Sequence, residues 1–178
     1  MLSIQELRSL GASLSTGAFR RQLGPFVLIQ RTPGRPVSAV LEPTRVAAPA
    51  DIERGMLSLL FEFEELLITT LPPLERMEEL SVGRLPDCDL FLDDASVSKR
   101  HAVLNWNEPQ GRCSVKDLGS TNGTFLNGAS LATREATLKD GDILSFGNVQ
   151  FWFLVTDTLH ARLHQGPKAS GKPAFRGS

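Results

Sequence analysis

The sequence predicts an all-β fold, a sandwich of short strands, on three observations. Its second half is a succession of short apolar or alternating runs, tight-turn residues punctuate them, and helical periodicity is almost confined to the first residues. The runs are HAVLNW from His101, RCSVKDLG from Arg112 and DILSFGNVQFWFLV from Asp142. Asn122-Gly123 and Asn127-Gly128 lie between the last two runs and Gly147-Asn148 divides the last into two closely joined strands, and Gly and Asn tolerate the positive φ that tight turns need.

Along the chain, Ser3 and Glu6 have capping-box spacing, and Ile4, Leu7, Leu10 and Leu14 recur at helical intervals, so a short N-terminal helix is expected, weakened by Gly11 and Gly17. FVLIQR, from Phe26 to Arg31, suits a strand. The following stretch holds four prolines and reads as an extended connector. FEFEELLITTL gains β-branched character near its end, and PPLERMEELSVG turns into a further strand. After Val155 a possible short helix, TDTLHARLH, gives way to a basic tail rich in Gly, Pro and Lys. The expected organisation is an N-terminal extension over 1–60, a folded domain over 61–156, and a short helix or irregular tail over 157–178.

Charge narrows the function. The net charge of -1 divides into +3 over residues 1–60, -7 over 61–156 and +3 over 157–178. A nucleic-acid platform carries a basic field over its folded part, and this one is acidic. No stretch approaches a membrane-spanning apolar length, and the start lacks a secretory pattern, so a cytoplasmic address is expected. Cys88 and Cys113 sit in no C-x-x-C pattern and read as reduced thiols. There is no phosphate loop ending in Lys-Ser/Thr and no H-E-x-x-H. His160 and His164 have i,i+4 spacing without an evident third ligand, so neither catalysis, cofactor nor metal is expected.

Ser81-Val82-Gly83-Arg84, then Ser98-Lys99-Arg100-His101, then Gly119-Ser120-Thr121-Asn122-Gly123-Thr124 and Asn127-Gly128 occur in an order that resembles the forkhead-associated (FHA) domain family, over about residues 66–155. The resemblance implies a sandwich of about eleven strands with recognition loops at one end, and a non-catalytic module that reads phosphothreonine on a partner protein.

The residue types suit that chemistry. A phosphate dianion calls for a cationic fork, hydroxyl or amide donors and backbone N–H groups. Arg84 is the expected cationic ligand, since its planar fork is more directional than a lysine. Its structural alternative is an ion pair with Asp87 or Asp89. Ser98, and not Ser96, has a histidine three residues on, and its hydroxyl is an expected donor. Thr121 and Asn122 are expected to meet phosphate and peptide backbone, and Lys99 and Arg100 to add local positive charge. Gly83, His101, Gly123 and Asn127 are expected to support the site, Asn127 with a turn-forming role as its alternative; the resemblance implies an architectural role for His101, and no acid and nucleophile accompany it in a triad pattern. The expected partners are a threonine-phosphorylated protein and, indirectly, the serine/threonine kinase that modifies it. Self-recognition through Thr32 or Thr44, each beside a proline, is a further option. The competing function is a structural or oligomerising module that binds unmodified protein.

Overall fold

The computed structural model describes residues 2–31, 67–69 and 79–165. Thr32, Thr44 and most of the basic tail lie outside the described residues. Two sheets face each other. The first has seven strands: β1 (Leu2–Ser3), β2 (Phe26–Arg31), β3 (Leu67–Thr69), β8 (Thr124–Leu126), β9 (Ala129–Ser130), β11 (Ile143–Phe146) and β12 (Val149–Val155). Their spatial order is β1-β3-β2-β12-β11-β8-β9. The second has five: β4 (Glu79–Gly83), β5 (Leu90–Phe91), β6 (Ala102–Asn107), β7 (Arg112–Asp117) and β10 (Glu135–Leu138), ordered β10-β7-β6-β4-β5. All pairings are antiparallel except β4 with β5.

The fold is a two-sheet sandwich, as expected, but it is not all-β. Three helices are described: α1 (Ile4–Ser13), α2 (Thr16–Leu23) and α3 (Thr156–Gln165). The reason lies in β2 and β12, whose sequences FVLI and FWFLV are continuously apolar, the pattern of strands buried on both faces. Phe26, Leu28, Phe151 and Phe153 enter the core between the sheets with Leu80, Val82, Leu104, Trp106 and Phe146. Val27, Ile29, Trp152 and Leu154 point the other way and meet Leu7, Phe19, Leu23 and Leu159 of the helices in a second core. Without the helices these four strand side chains would face water.

Polar contacts fasten that layer. Ser15 caps α2 by accepting from the Ala18 N–H at 3.4 Å, and Gly24 ends it at φ 84°. Buried Thr156 donates its N–H to Pro25 O at 3.0 Å and its hydroxyl to Gly24 O at 2.7 Å, joining the start of α3 to the end of α2. Arg162 of α3 pairs with Asp140 at 2.9 Å. His160 is buried, with Nε2 2.8 Å from Leu14 O and Nδ1 3.0 Å from Thr16 Oγ1. Its ring serves helix packing on both sides.

The sheet also crosses the boundary expected at residue 60. Strand β2 lies inside the seven-stranded sheet and pairs with β12 through six residues, Phe26↔Val155 to Arg31↔Gln150.

Candidate functional site

The loops that follow β4, precede β6, join β7 to β8 and join β11 to β12 meet at one end of the sandwich. Strand β4 delivers Gly83 and then Arg84. The Arg84 N–H donates to Ser98 O at 3.0 Å, and the Leu85 N–H to Lys99 O at 3.2 Å. Gly83 is required by this approach, since a Cβ there would stand 2.3 Å from the Lys99 carbonyl oxygen. The exposed Arg84 side chain is steadied by its Nε, which donates to Val97 O at 3.2 Å, while its Nη groups make no hydrogen bond to a described residue.

Ser98 joins two loops. Its Oγ accepts from the Thr121 N–H at 3.0 Å and lies 3.5 Å from Thr121 Oγ1. Ser96, passed over in favour of Ser98, proves to be the tie between three loops. Its carbonyl accepts from Asn122 Nδ2 at 2.8 Å, and its hydroxyl accepts from the Asn148 N–H at 2.9 Å while donating to Asp94 at 2.6 Å. Gly147, at φ 56°, passes so close that a Cβ would lie 2.5 Å from Ser96 O.

His101 is fully buried beneath these loops. Its Nδ1 accepts the Ser98 N–H at 3.0 Å, so the ring proton belongs on Nε2, which donates to Gly123 O at 3.1 Å. One neutral imidazole thus ties the Ser98 backbone to Gly123 of the neighbouring loop. Burial pushes its pKa below the ordinary 6.5, opposed by the Gly123 carbonyl and the Asp117 charge 3.8 Å away.

Asp117 and its partners are the part of the site that sequence reasoning missed. One carboxylate oxygen accepts the N–H groups of Gly119 and Ser120, each at 2.8 Å. The other accepts the hydroxyls of Ser120 and Thr124, each at 2.6 Å. Burial pushes the carboxyl pKa up, but these donors outweigh it and leave it below the ordinary value. An Asp two residues before a Gly, followed by Ser and Thr, is an Asx-turn pattern that could have revealed the role.

Two expected residues sit differently. Arg100 pairs with Asp87 at 2.6 Å, both side chains more than half exposed, an ion pair worth little to stability. Asn127 is not at this end. It occupies the far end of β8, where Ile143 N–H donates to its Oδ1 at 2.8 Å and its Nδ2 donates to Asp142 at 2.9 Å, supporting the sheet rather than the loops. Lys99 is exposed beside Ser98. No group of three His, Cys, Asp or Glu that could hold a metal occurs among the described residues.

The family model of the FHA domain matches residues 80–147, the span that holds Arg84, Ser98, His101 and the Asp117–Thr124 loop. An FhaA FHA domain, solved in complex with the intracellular domain of a partner, is 31% identical over 49% of this chain and 87% of that one, with a TM-score of 0.42. The chain belongs to the FHA domain family. The N-terminal FHA domain of Rad53p from S. cerevisiae, solved with a phosphothreonine peptide, is 24% identical over 55% of this chain and 90% of that one, with a TM-score of 0.45. Among curated proteins, the glycogen accumulation regulator GarA of Mycolicibacterium smegmatis is 42% identical over 74 residues, covering 42% of this chain and 44% of the relative. The oxoglutarate dehydrogenase inhibitor of Corynebacterium jeikeium is 40% identical over 77 residues, covering 43% and 51%. The chain spans about half the length of these curated relatives. The FHA match begins at residue 80, whereas the FHA sandwich here takes an inner strand from residues 26–31.

The buried imidazole makes this FHA site sensitive to acid. The unfolded chain takes up a proton near pH 6.5 and the folded one only lower, so His101 favours the fold above 6.5 and that contribution is lost as pH falls below it. Urea unfolding between pH 7 and pH 5 should show stability falling by up to about 1.4 kcal/mol per pH unit, with His101→Gln flattening the slope. An unchanged slope in that variant would show that His101 does not titrate between the two states.

Proposed function

We propose that this FHA module is a non-catalytic adaptor that binds a phosphothreonine-containing segment of a partner protein through Arg84, Ser98, Thr121 and Asn122. The observation that carries the reading is the assembly of donors from three loops. Arg84 is anchored on Ser98 and Val97 through its backbone N–H and Nε, and the Ser98 hydroxyl is tied to Thr121. A phosphate entering beside Ser98 meets a guanidinium fork and two hydroxyls already held in register, so little ordering cost remains. Asn122 keeps its side-chain oxygen for a peptide N–H while its Nδ2 holds Ser96. Lys99 adds positive charge directly, and Arg100 does so in exchange for Asp87.

Phosphothreonine, rather than phosphoserine, is what FHA membership implies, and the physical basis of that discrimination would be a small apolar niche for the extra methyl. A serine/threonine kinase stands upstream of such a partner, and a modified threonine of this same chain is a ligand of the same chemistry. A cytoplasmic setting follows from that signalling role. Among the described residues no helix is long and apolar enough to cross a membrane.

Fluorescence anisotropy on the intact chain, with matched phosphothreonine, phosphoserine and unmodified peptides, tests the reading. The phosphothreonine peptide should bind best. Arg84→Ala, which removes charge-assisted hydrogen bonds worth about 1.5–3 kcal/mol each, should weaken it about 100-fold or more. Because Arg84 is exposed, the variant should melt within a few degrees of the parent. Binding indifferent to phosphate would replace this reading with that of a structural module for unmodified protein.

A further inference from the structure

A cross-strand row of the five-stranded sheet borders the recognition loops. The Leu118 N–H donates to His101 O at 2.9 Å, the His101 N–H to Val82 O at 2.8 Å, and Gly83 pairs with Phe91 in the β4–β5 ladder. The row therefore runs Leu118, His101, Gly83, Phe91 across β7, β6, β4 and β5. Its inner members belong to the site, since His101 holds Ser98 and Gly83 precedes Arg84. Its outer members are the exposed large hydrophobics of the described residues, Phe91 at 45% and Leu118 at 50%. Exposed or half-exposed positions elsewhere on β6, β7 and β10 carry Asn105, Ser114, Lys116, Glu135 and Thr137.

Two exposed apolar residues thus stand at the two ends of the strand row whose inner members adjoin the phosphate donors. Neighbouring strands lie about 4.8 Å apart, so three inter-strand steps separate Leu118 from Phe91 by about 14 Å. An extended peptide advances about 3.3 Å per residue and crosses that distance in about four residues. A ligand held at Arg84 and Ser98 between the two would bring one flanking side chain near each.

We propose that Leu118 and Phe91 are specificity contacts of the recognition site, and that its target carries a large apolar residue on each side of the phosphothreonine, the two about four residues apart. The proposal rests on the phosphothreonine-reader reading. It commits the exposed apolar pair to the same ligand as the loops, because both residues are continuous with site elements through backbone bonds.

The test is a set of phosphothreonine peptides with alanine at every flanking position except two leucines four apart, placed in each register around the phosphothreonine. These are titrated into the full chain by anisotropy beside the all-alanine parent peptide. One register should bind about 10-fold or more tighter than the parent. Leu118→Ser and Phe91→Ser should each remove about 3–5-fold of that gain, leave the affinity for the all-alanine peptide unchanged, and become blind to different leucines. Equal binding of every register, or an equal loss on both peptides in the variants, would overturn the proposal. Failure of every phosphothreonine peptide, the all-alanine one included, would instead remove the reader reading itself and this proposal with it.

Discussion

A fragment of residues 61–156, the span that the sequence marks as the domain, should not fold. It lacks β2, α1, α2 and α3, and with them Leu7, Phe19, Leu23, Phe26, Val27, Leu28, Ile29 and Leu159, each at most 1% exposed. Eight buried side chains at about 1.5–3 kcal/mol each match or exceed the whole stability of an ordinary domain, about 5–15 kcal/mol. The area-based figure is an upper bound, but even half of it removes most of the margin. The loss is also directional. Strand β12 would become an open edge carrying Trp152 and Leu154 on a bare face, a composition that favours aggregation. Thermal circular dichroism should show a cooperative transition for residues 1–165 and none for 61–156, and Trp152 fluorescence should shift to the red in the fragment. A cooperative transition in 61–156 within a few degrees of the longer chain would show that the second core is dispensable.

What the sequence disclosed and what it withheld divide along one physical line. Features set by local chemistry were legible: the β6 and β7 strands, the turn pairs, and the order of the motifs that carry Arg84, Ser98, His101 and Thr121, whose spacing reflects loop geometry. Features set by distant partners were not. FVLIQR reads as a strand, but nothing within it says that its neighbour is β12, whose Gln150 lies 119 residues from Arg31. The apolar positions of α1 read as a helix stripe, but their target, the outer face of β2 and β12, exists only once those strands pair. Arg100 is expected at the site for its charge beside Ser98, and Asn127 for its place in the Asn-Gly motif. Arg100 is drawn to Asp87 across 13 residues, and Asn127 is separated from the loops by the length of β8. Asp117 stayed hidden for the opposite reason. Its partners are all local, but a single acid at a strand end looks like solvated surface until its burial is known.

Asp117 is therefore where a small change should have a large and divisible effect. Asp117→Ala leaves four donors without their acceptor: the Gly119 and Ser120 N–H groups and the Ser120 and Thr124 hydroxyls. Water can reach Gly119 and Ser120, but Thr124 is fully buried, so the expected cost is about 3 kcal/mol rather than the sum of four full penalties. Asp117→Asn should cost only about 1 kcal/mol, because its remaining carbonyl oxygen can keep the two backbone N–H groups while the hydroxyls turn to accept from its amide. Loop order should follow the same ranking, since Gly119–Gly123 carries Thr121 and Asn122, and phosphothreonine affinity should fall far more in the alanine variant than in the asparagine one. Charge and geometry then separate through His101. The Asp117 carboxylate raises the imidazole pKa, so Asp117→Asn should lower the His101 midpoint further below 6.5 in an NMR titration while leaving the loop bonds in place. Urea unfolding of the two variants decides the matter. If Asp117→Ala is within about 0.5 kcal/mol of the parent, the carboxylate does not hold the recognition loop. If both variants fall equally, its charge rather than its acceptor geometry is what the fold requires.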